Sequence, residues 1–156
     1  MKLTYKDIEL VKKEEREEEI SSQAWHIYKD GVIIGEVDSY FIDYEYKPIR
    51  RKEESTDNKC IRINISDSEN WDKGYGTKAL VAFIEYLFEE KQYRLLYAQT
   101  SSDNQRIEHV LKNLGFRVVS RLKDEVLVGS KIYDFLSLKL IPHNFKSAKK
   151  RIEQGE

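Results

Sequence analysis

Hydrophobic and polar positions change their period several times along this chain. The stretch CIRINIS alternates. Ile61, Ile63 and Ile65 share one side and Arg62 and Asn64 the other, which predicts a half-buried strand. Upstream, QAWHIYKDGVIIGEVDSYFI reads as two strands joined at Lys29-Asp30-Gly31. An Asp-Gly pair supplies positive φ cheaply, so it favours a tight hairpin. Farther upstream, IELVK and SQAWHIY read as another hairpin around the charged run KKEEREEEI, which has no apolar stripe of its own. Beyond residue 70 the period lengthens. Leu80, Phe83, Ile84, Leu87 and Phe88 in LVAFIEYLFEE fall on one helical stripe. RLLYAQTS is a short apolar strand. Residues 102–114 form a second predicted helix, with Ser102 and Gln105 at capping-box spacing and Gly115 available as a left-handed end. Its stripe is Ile107, Val110, Leu111 and Leu114. FRVVSRL and YDFLSLKL are predicted to complete the sheet. The order predicts a mixed α/β fold with a mostly antiparallel central sheet and flanking helices.

Composition narrows the setting. A chain of 156 residues suits one domain. The expected division is one domain over 1–141, followed by a basic, loosely held tail over 142–156. With Cys60 the only cysteine, neither an internal disulfide nor a cysteine metal cluster is expected, and no metal site is read. A formal net charge of −1 gives no bulk attraction to nucleic acid. No apolar run approaches the ~20 residues that span a membrane. The opening MKLTYKDIEL has no apolar core of a signal peptide. A cytoplasmic protein with no membrane partner is the expectation.

Chemistry concentrates in WDKGYGTKAL, residues 71–80. Gly74 and Gly76 permit a tight turn and leave backbone N–H groups open to a ligand. The helix that follows brings unpaired amides and the positive end of its dipole. Lys73 and Lys78 add charge at the rim. The same pattern serves a plain helix-starting turn, so the segment alone leaves both readings open. The pattern GxxxxGK[ST] is absent, and Ala79 stands where the dinucleotide fingerprint needs its third glycine.

Three segments together resemble the GNAT superfamily of N-acetyltransferases: WDKGYGTKAL, SSDNQRIEHVLKNLGF and GSKIYDFLSLKL. Within it they look most like the branch holding ribosomal-protein alanine and aminoglycoside 6'-type acetyltransferases. The resemblance spans roughly residues 60–140. It implies that backbone amides of Gly74, Tyr75, Gly76, Thr77 and Lys78 bind the pyrophosphate of acetyl-CoA, with Lys73 beside them. It implies that the backbone of Ile63, Asn64 and Ile65 pairs with the pantetheine arm and that Asn104 lies near its reactive end. The implied reaction is direct attack of an amine on the thioester in a ternary complex, with a small-molecule or peptide amine as acceptor. No Cys or Ser nucleophile is then needed, and Cys60 reads as a small buried residue.

Against that resemblance stand several departures. Many members carry a tyrosine as general acid four residues before the Gly of their Gly-Phe pair; Leu111 stands there. CIRINIS offers no carboxylate, so Glu36 and Asp38 in IIGEVDSY are the nearest candidates for a general base. They read equally as outward charges on a strand. His26 and His109 read as structural. Members usually place two helices between their first two strands, and KKEEREEEISS is too short for them. A non-catalytic acyl-CoA-binding module on the same fold is the alternative. Tyr40, Phe41, Tyr44 and Tyr46 read as an acceptor wall, or else as a contact within a homodimer or ordinary edge-strand packing.

Overall fold

A computed structural model describes residues 1–13, 23–49 and 58–155. The fold is mixed α/β, with a largely antiparallel sheet and flanking helices. Its contacts fall into two compact units, Met1–Tyr93 and Arg94–Glu156.

The first unit runs β1 (Lys2–Tyr5), β2 (Ile8–Lys12), β3 (Gln23–Lys29), β4 (Val32–Phe41), β5 (Lys59–Ile65) and α1 (Tyr75–Glu85). Each strand pairs antiparallel with the next. The expected hairpin of β2 and β3 forms, with Ile8 opposite Lys29 and Lys12 opposite Trp25. Residues 14–22 of the charged run between them, where the resemblance would place two front helices, lie outside the described residues. Strand β1 was not foreseen. Its turn uses Lys6 at φ 54 rather than a glycine, so the usual turn marker is missing. The Asp30-Gly31 turn has both residues left-handed (φ 51 and 78), as a two-residue type I′ hairpin requires.

Register fixes the two faces of this sheet. Val37 and Ser39 of β4 stand opposite Trp25 and Gln23 of β3, and opposite Ile63 and Ile61 of β5. Trp25 on that face meets α1, with its ring edge-on to Tyr86 at 5.3 Å and tilted against Phe83 at 6.3 Å. Ile8, Leu10, Trp25, Ile27 and Val37 are fully buried. Helix α1 is buried more widely than its stripe predicts, because Val81, Ala82 and Tyr86 are covered too. It continues as a π-helical turn over Tyr86–Glu90. The opposite face of the sheet is polar, with His26, Glu36 and Asn64 in one cross-strand row and Asp38 and Arg62 in the next.

The second unit holds β6 (Leu96–Ser101), α2 (Gln105–Asn113), β7 (Arg117–Val128), β8 (Lys131–Leu140) and α3 (Pro142–Gln154). Strand β8 pairs antiparallel with both β6 and β7. Helix α2 starts later than the capping-box reading places it. Asn104 is the N-cap, and its side-chain oxygen accepts from the Ile107 amide at 3.3 Å. Ser102 instead accepts from the Asp134 amide at 2.9 Å through its hydroxyl. The helix ends as expected. Gly115 is left-handed at φ 103, and Phe116 N–H reaches the Leu111 carbonyl at 3.1 Å, closing a Schellman motif. Residues 142–154, expected to be a loose tail, form α3 with Phe145 and Ala148 buried. Pro142 opens it where a helix tolerates proline, and Phe145, Ala148 and Ile152 give it the packing stripe that its basic charge obscures. No helix among the described residues is long and apolar enough to cross a membrane.

Candidate functional site

Strand β5 leads directly into the glycine segment. A short 3-10 turn spans Ser68–Asn70, capped by the Asp67 side chain, which accepts from the Glu69 amide. Trp71 then donates its indole N–H to the Ile65 carbonyl at 3.0 Å, tying the loop back to the strand end. Asp72 and Gly74 are both left-handed, at φ 60 and 81. Gly74 is the N-cap of α1 and offers no side-chain cap. The first-turn amides of Tyr75, Gly76 and Thr77 therefore have no capping side chain among the described residues, at the positive end of a helix dipole. This is an arrangement suited to an anion.

The two glycines are there for different reasons. Gly74 needs its left-handed φ, while a Cβ on it would meet nothing within 4 Å. Gly76 is helical, and an added Cβ would touch only Ile63 Cδ1 at 3.6 Å and Ile65 Cγ1 at 4.0 Å, ordinary contacts. Neither packing nor backbone strain calls for glycine at 76, where it costs a helix roughly 1 kcal/mol relative to alanine. Close approach of something to its amide is the remaining physical reason for it.

Two lysines near this loop, Lys78 and Lys29, are already engaged. Lys78 Nζ lies 2.8 Å from Asp7 Oδ1, in the turn between β1 and β2. Lys29 joins the same carboxylate at 3.5 Å, bonds Asp30 at 2.5 Å, and sits 5.8 Å from the centroid of the Tyr75 ring. The hydrogen bond from Lys78 holds the Asp7 carboxyl below its usual range, and the bond to Asp30 raises the Lys29 ammonium. Lys29 was missed in the sequence because only the hairpin register brings it beside Tyr75. Asp7 therefore occupies two cations that an anion at the loop would otherwise use. Asp7→Asn should tighten pyrophosphate binding about threefold at low ionic strength, with the gain shrinking as salt screens these exposed charges. Titration at two salt concentrations checks it, and weaker binding by the variant would contradict it.

The candidate bases differ in their surroundings. Asp38 is buried, and both its oxygens are held by Arg62, at 3.0 Å from Nε and 2.5 Å from Nη2. That bond raises the Arg62 guanidinium further, and the guanidinium also lies 5.0 Å from the Tyr40 ring centroid. Glu36 pairs with Lys13 and is 43% exposed, so it can exchange partners more readily than Asp38. On the same sheet face, burial pushes the Cys60 thiol up to about 12 and raises the Tyr40 phenol still further. A thiolate nucleophile at Cys60 is thereby disfavoured.

Lys59, at the start of β5, is a second residue not anticipated. It is 3% exposed, with its ammonium 4.3 Å from the centroid of the Phe41 ring and 5.8 Å from that of Tyr93. Desolvation, and then Lys91, lower its pKa from 10.5 to about 8. The folded state therefore gives up this proton before the unfolded chain does. Stability should rise as pH climbs from about 8 to about 10.5, with the full penalty present below that window. Lys59→Met should remove this rise and be more stable near neutrality. Denaturant midpoints between pH 7 and 10.5 test it, and an unchanged pH profile would refute the assignment.

Asn104 and Leu111 belong to the second unit. The Asn104 side chain is spent on capping α2, and Leu111 is 3% exposed inside that helix. The first unit thus brings together Ile63, Asn64, Ile65, Lys73, Gly74, Tyr75, Gly76, Thr77 and Lys78 on one strand–loop–helix segment. Glu36 stands opposite Asn64 and Asp38 opposite Arg62 on the adjacent strand. Arg50, Arg51 and Lys52, a basic run that reads from the sequence as a contact for an anionic partner or as a solvated charged loop, lie outside the described residues.

Residues 4–117 match the family pattern described as "Acetyltransferase (GNAT) domain". No curated protein matches the sequence. Among solved structures, RimJ of Mycobacterium smegmatis in complex with CoA-disulfide superposes with a TM-score of 0.67 at 19% identity, covering 86% of this chain and 61% of that one. Mutant forms of the spermidine/spermine N-acetyltransferase SpeG of Vibrio cholerae give 0.65 at 16% identity, covering 81% and 70%. A probable acetyltransferase gives 0.63 at 20% identity, covering 79% and 63%. The chain spans under two thirds of the length of RimJ and of the probable acetyltransferase. Relatives of different substrate class score alike, so the likeness is one of fold and favours no branch.

Proposed function

The chain belongs to the GNAT acetyltransferase family, and on that premise we propose that it transfers an acetyl group from acetyl-CoA to a primary amine. The observation that carries this reading is the uncapped start of α1 with a glycine at 76 that the fold itself does not require. A pyrophosphate group fits those residues. The backbone amides of Gly74, Tyr75, Gly76, Thr77 and Lys78 would hold it, with Lys73 at the rim. The backbone of Ile63, Asn64 and Ile65 would pair with the pantetheine arm.

Acetyl-CoA, when bound, supplies the acetyl group already activated as a thioester. The protein's part is to orient the acceptor and manage its proton. Glu36 is the better candidate base, since its carboxylate is 43% exposed and pairs with Lys13, whereas Asp38 is clamped by Arg62. Asp38 is then better read as positioning Arg62. Leu111 cannot donate a proton, so the thiolate would leave without acid help from that position. The acceptor is a small-molecule or peptide amine. Residues 1–93 carry 21 Asp and Glu against 15 Lys and Arg, a field that favours a cationic amine. The branch that includes ribosomal-protein alanine and aminoglycoside 6'-type acetyltransferases is our choice on the sequence resemblance.

A second reading, an acyl-CoA-binding module without turnover, draws on the buried leucine at 111 and the clamped Asp38. Release of CoA thiol from acetyl-CoA across a panel of amines and peptides separates the two. Amine-dependent release supports transfer. Binding without release supports the module.

A further inference from the structure

Charge is distributed unevenly along this nearly neutral chain. Residues 94–156 carry 12 Lys and Arg against 7 Asp and Glu, whereas acids prevail before them. Asymmetry of that kind points to an anionic partner for the basic part. Within the second unit, part of this charge converges on a groove between the C-terminal end of α2 and the helix α3.

The groove has a volume of about 370 Å³. Lys112, Arg117, His143, Asn144, Ser147 and Arg151 supply its polar walls, and among the described residues no carboxylate lines it. The backbone geometry explains why it exists. A Cβ on Gly115 would stand 2.7 Å from the Asn144 carbonyl oxygen, so the end of α2 meets the first turn of α3 backbone to backbone. The small residues Gly115 and Ala148 keep the groove open, and because Phe116 beside them is buried, the surface it offers is almost wholly polar.

The cations are placed rather than merely numerous. Arg151 donates from Nη2 to the Asn113 carbonyl at 3.1 Å, which fixes its fork at the end of α2. Lys112 is tied at 2.6 Å to Glu108, one turn back along α2 and outside the groove lining. Helix α3 has no side-chain cap, so its first-turn amides add partial positive charge near His143 and Asn144. Arginine forks and a serine hydroxyl suit a phosphate group, whose oxygens accept from the forks in pairs. The volume lies at the small end of the range for ligand sites, roughly 300–1,000 Å³.

We propose that this groove is a second anion site, one that takes the phosphate group of a small soluble anion and shares no residue with the loop around Gly76. It does not depend on the acetyl-transfer reading. A regulatory ligand or a phosphorylated part of an acceptor would both bring this chemistry.

The test uses the full chain and backbone amide chemical shifts, with adenosine monophosphate and inorganic phosphate as probes. Gly76→Asp serves as the background, so that anion binding at the loop does not confuse the result. Adenosine monophosphate and phosphate should each shift the amides of Gly115, Arg117, His143 and Asn144 saturably. Arg117→Gln should weaken binding about tenfold, the loss expected for one charge-assisted hydrogen bond. Lys112→Gln is a companion variant on a different element, and thermal melts confirm that both fold. Absence of saturable shifts at those amides overturns the proposal. So does binding that Arg117→Gln and Lys112→Gln both leave unchanged.

Discussion

Gly76→Asp should abolish acetyl-CoA binding while leaving the protein folded. Residue 76 is the second residue of α1, behind the Gly74 N-cap. An acidic side chain there faces the positive end of the helix dipole and stabilises the helix by about 0.3–1 kcal/mol. Its Cβ meets only ordinary contacts with Ile63 and Ile65. The melting temperature should therefore hold or rise. Binding of the cofactor is affected in the opposite direction. A carboxylate among amides that hold a pyrophosphate faces like charge at about 4 Å, where repulsion is worth several kcal/mol at an intermediate dielectric. A loss of at least about 100-fold in affinity is expected. Calorimetry beside a thermal melt checks both halves. A stable variant that binds as wild type would mean that the loop does not hold the pyrophosphate.

Gly35→Ala should be the most damaging small substitution in the first unit. A Cβ at 35 would lie 2.1 Å from the Asn64 carbonyl oxygen and 2.9 Å from Ile65 Cα. Both are backbone atoms of β5, so no rotamer change relieves the clash, and β4 must part from β5 where Gly35 faces Ile65. Overpacking of this kind costs about 2–4 kcal/mol. The harm extends to function, because the Ile65 carbonyl anchors Trp71 and hence the glycine loop. Both the denaturant midpoint and the acetyl-CoA affinity should fall. Gly31→Ala is the control, since its Cβ meets nothing within 4 Å and only its φ of 78 is strained. Equal midpoints for Gly35→Ala and wild type would show that the strands are not held this closely.

How much of this could be read in advance depends on whether a feature is local. The Asp30-Gly31 turn, the alternation of Ile61, Ile63 and Ile65, the glycine loop and the Gly115 helix end all rest on a residue's own backbone demands or on short-range period. Each was legible and each forms. The N-cap of α2 was misplaced because two polar residues near one helix start compete for the same role. Asn104 caps the helix, while Ser102 is drawn away by the Asp134 amide. Other features depend on register between distant strands. Nothing local marks Gly35 as the residue that lets β4 approach β5, or Lys59 as the lysine lodged beside Phe41. Asp38 looked like an outward carboxylate until the pairing set it opposite Arg62. Helix α3 did carry a signal, in Pro142 followed by Phe145, Ala148 and Ile152 at helical spacing, which its run of cations concealed.

Calorimetric titration of the intact protein with acetyl-CoA bears most directly on the central claim, that the loop at the start of α1 is built around the cofactor's pyrophosphate. The account predicts one site per chain with micromolar or tighter affinity, weakened by at least about 100-fold in Gly76→Asp. No measurable heat of binding from the folded wild-type protein would contradict it.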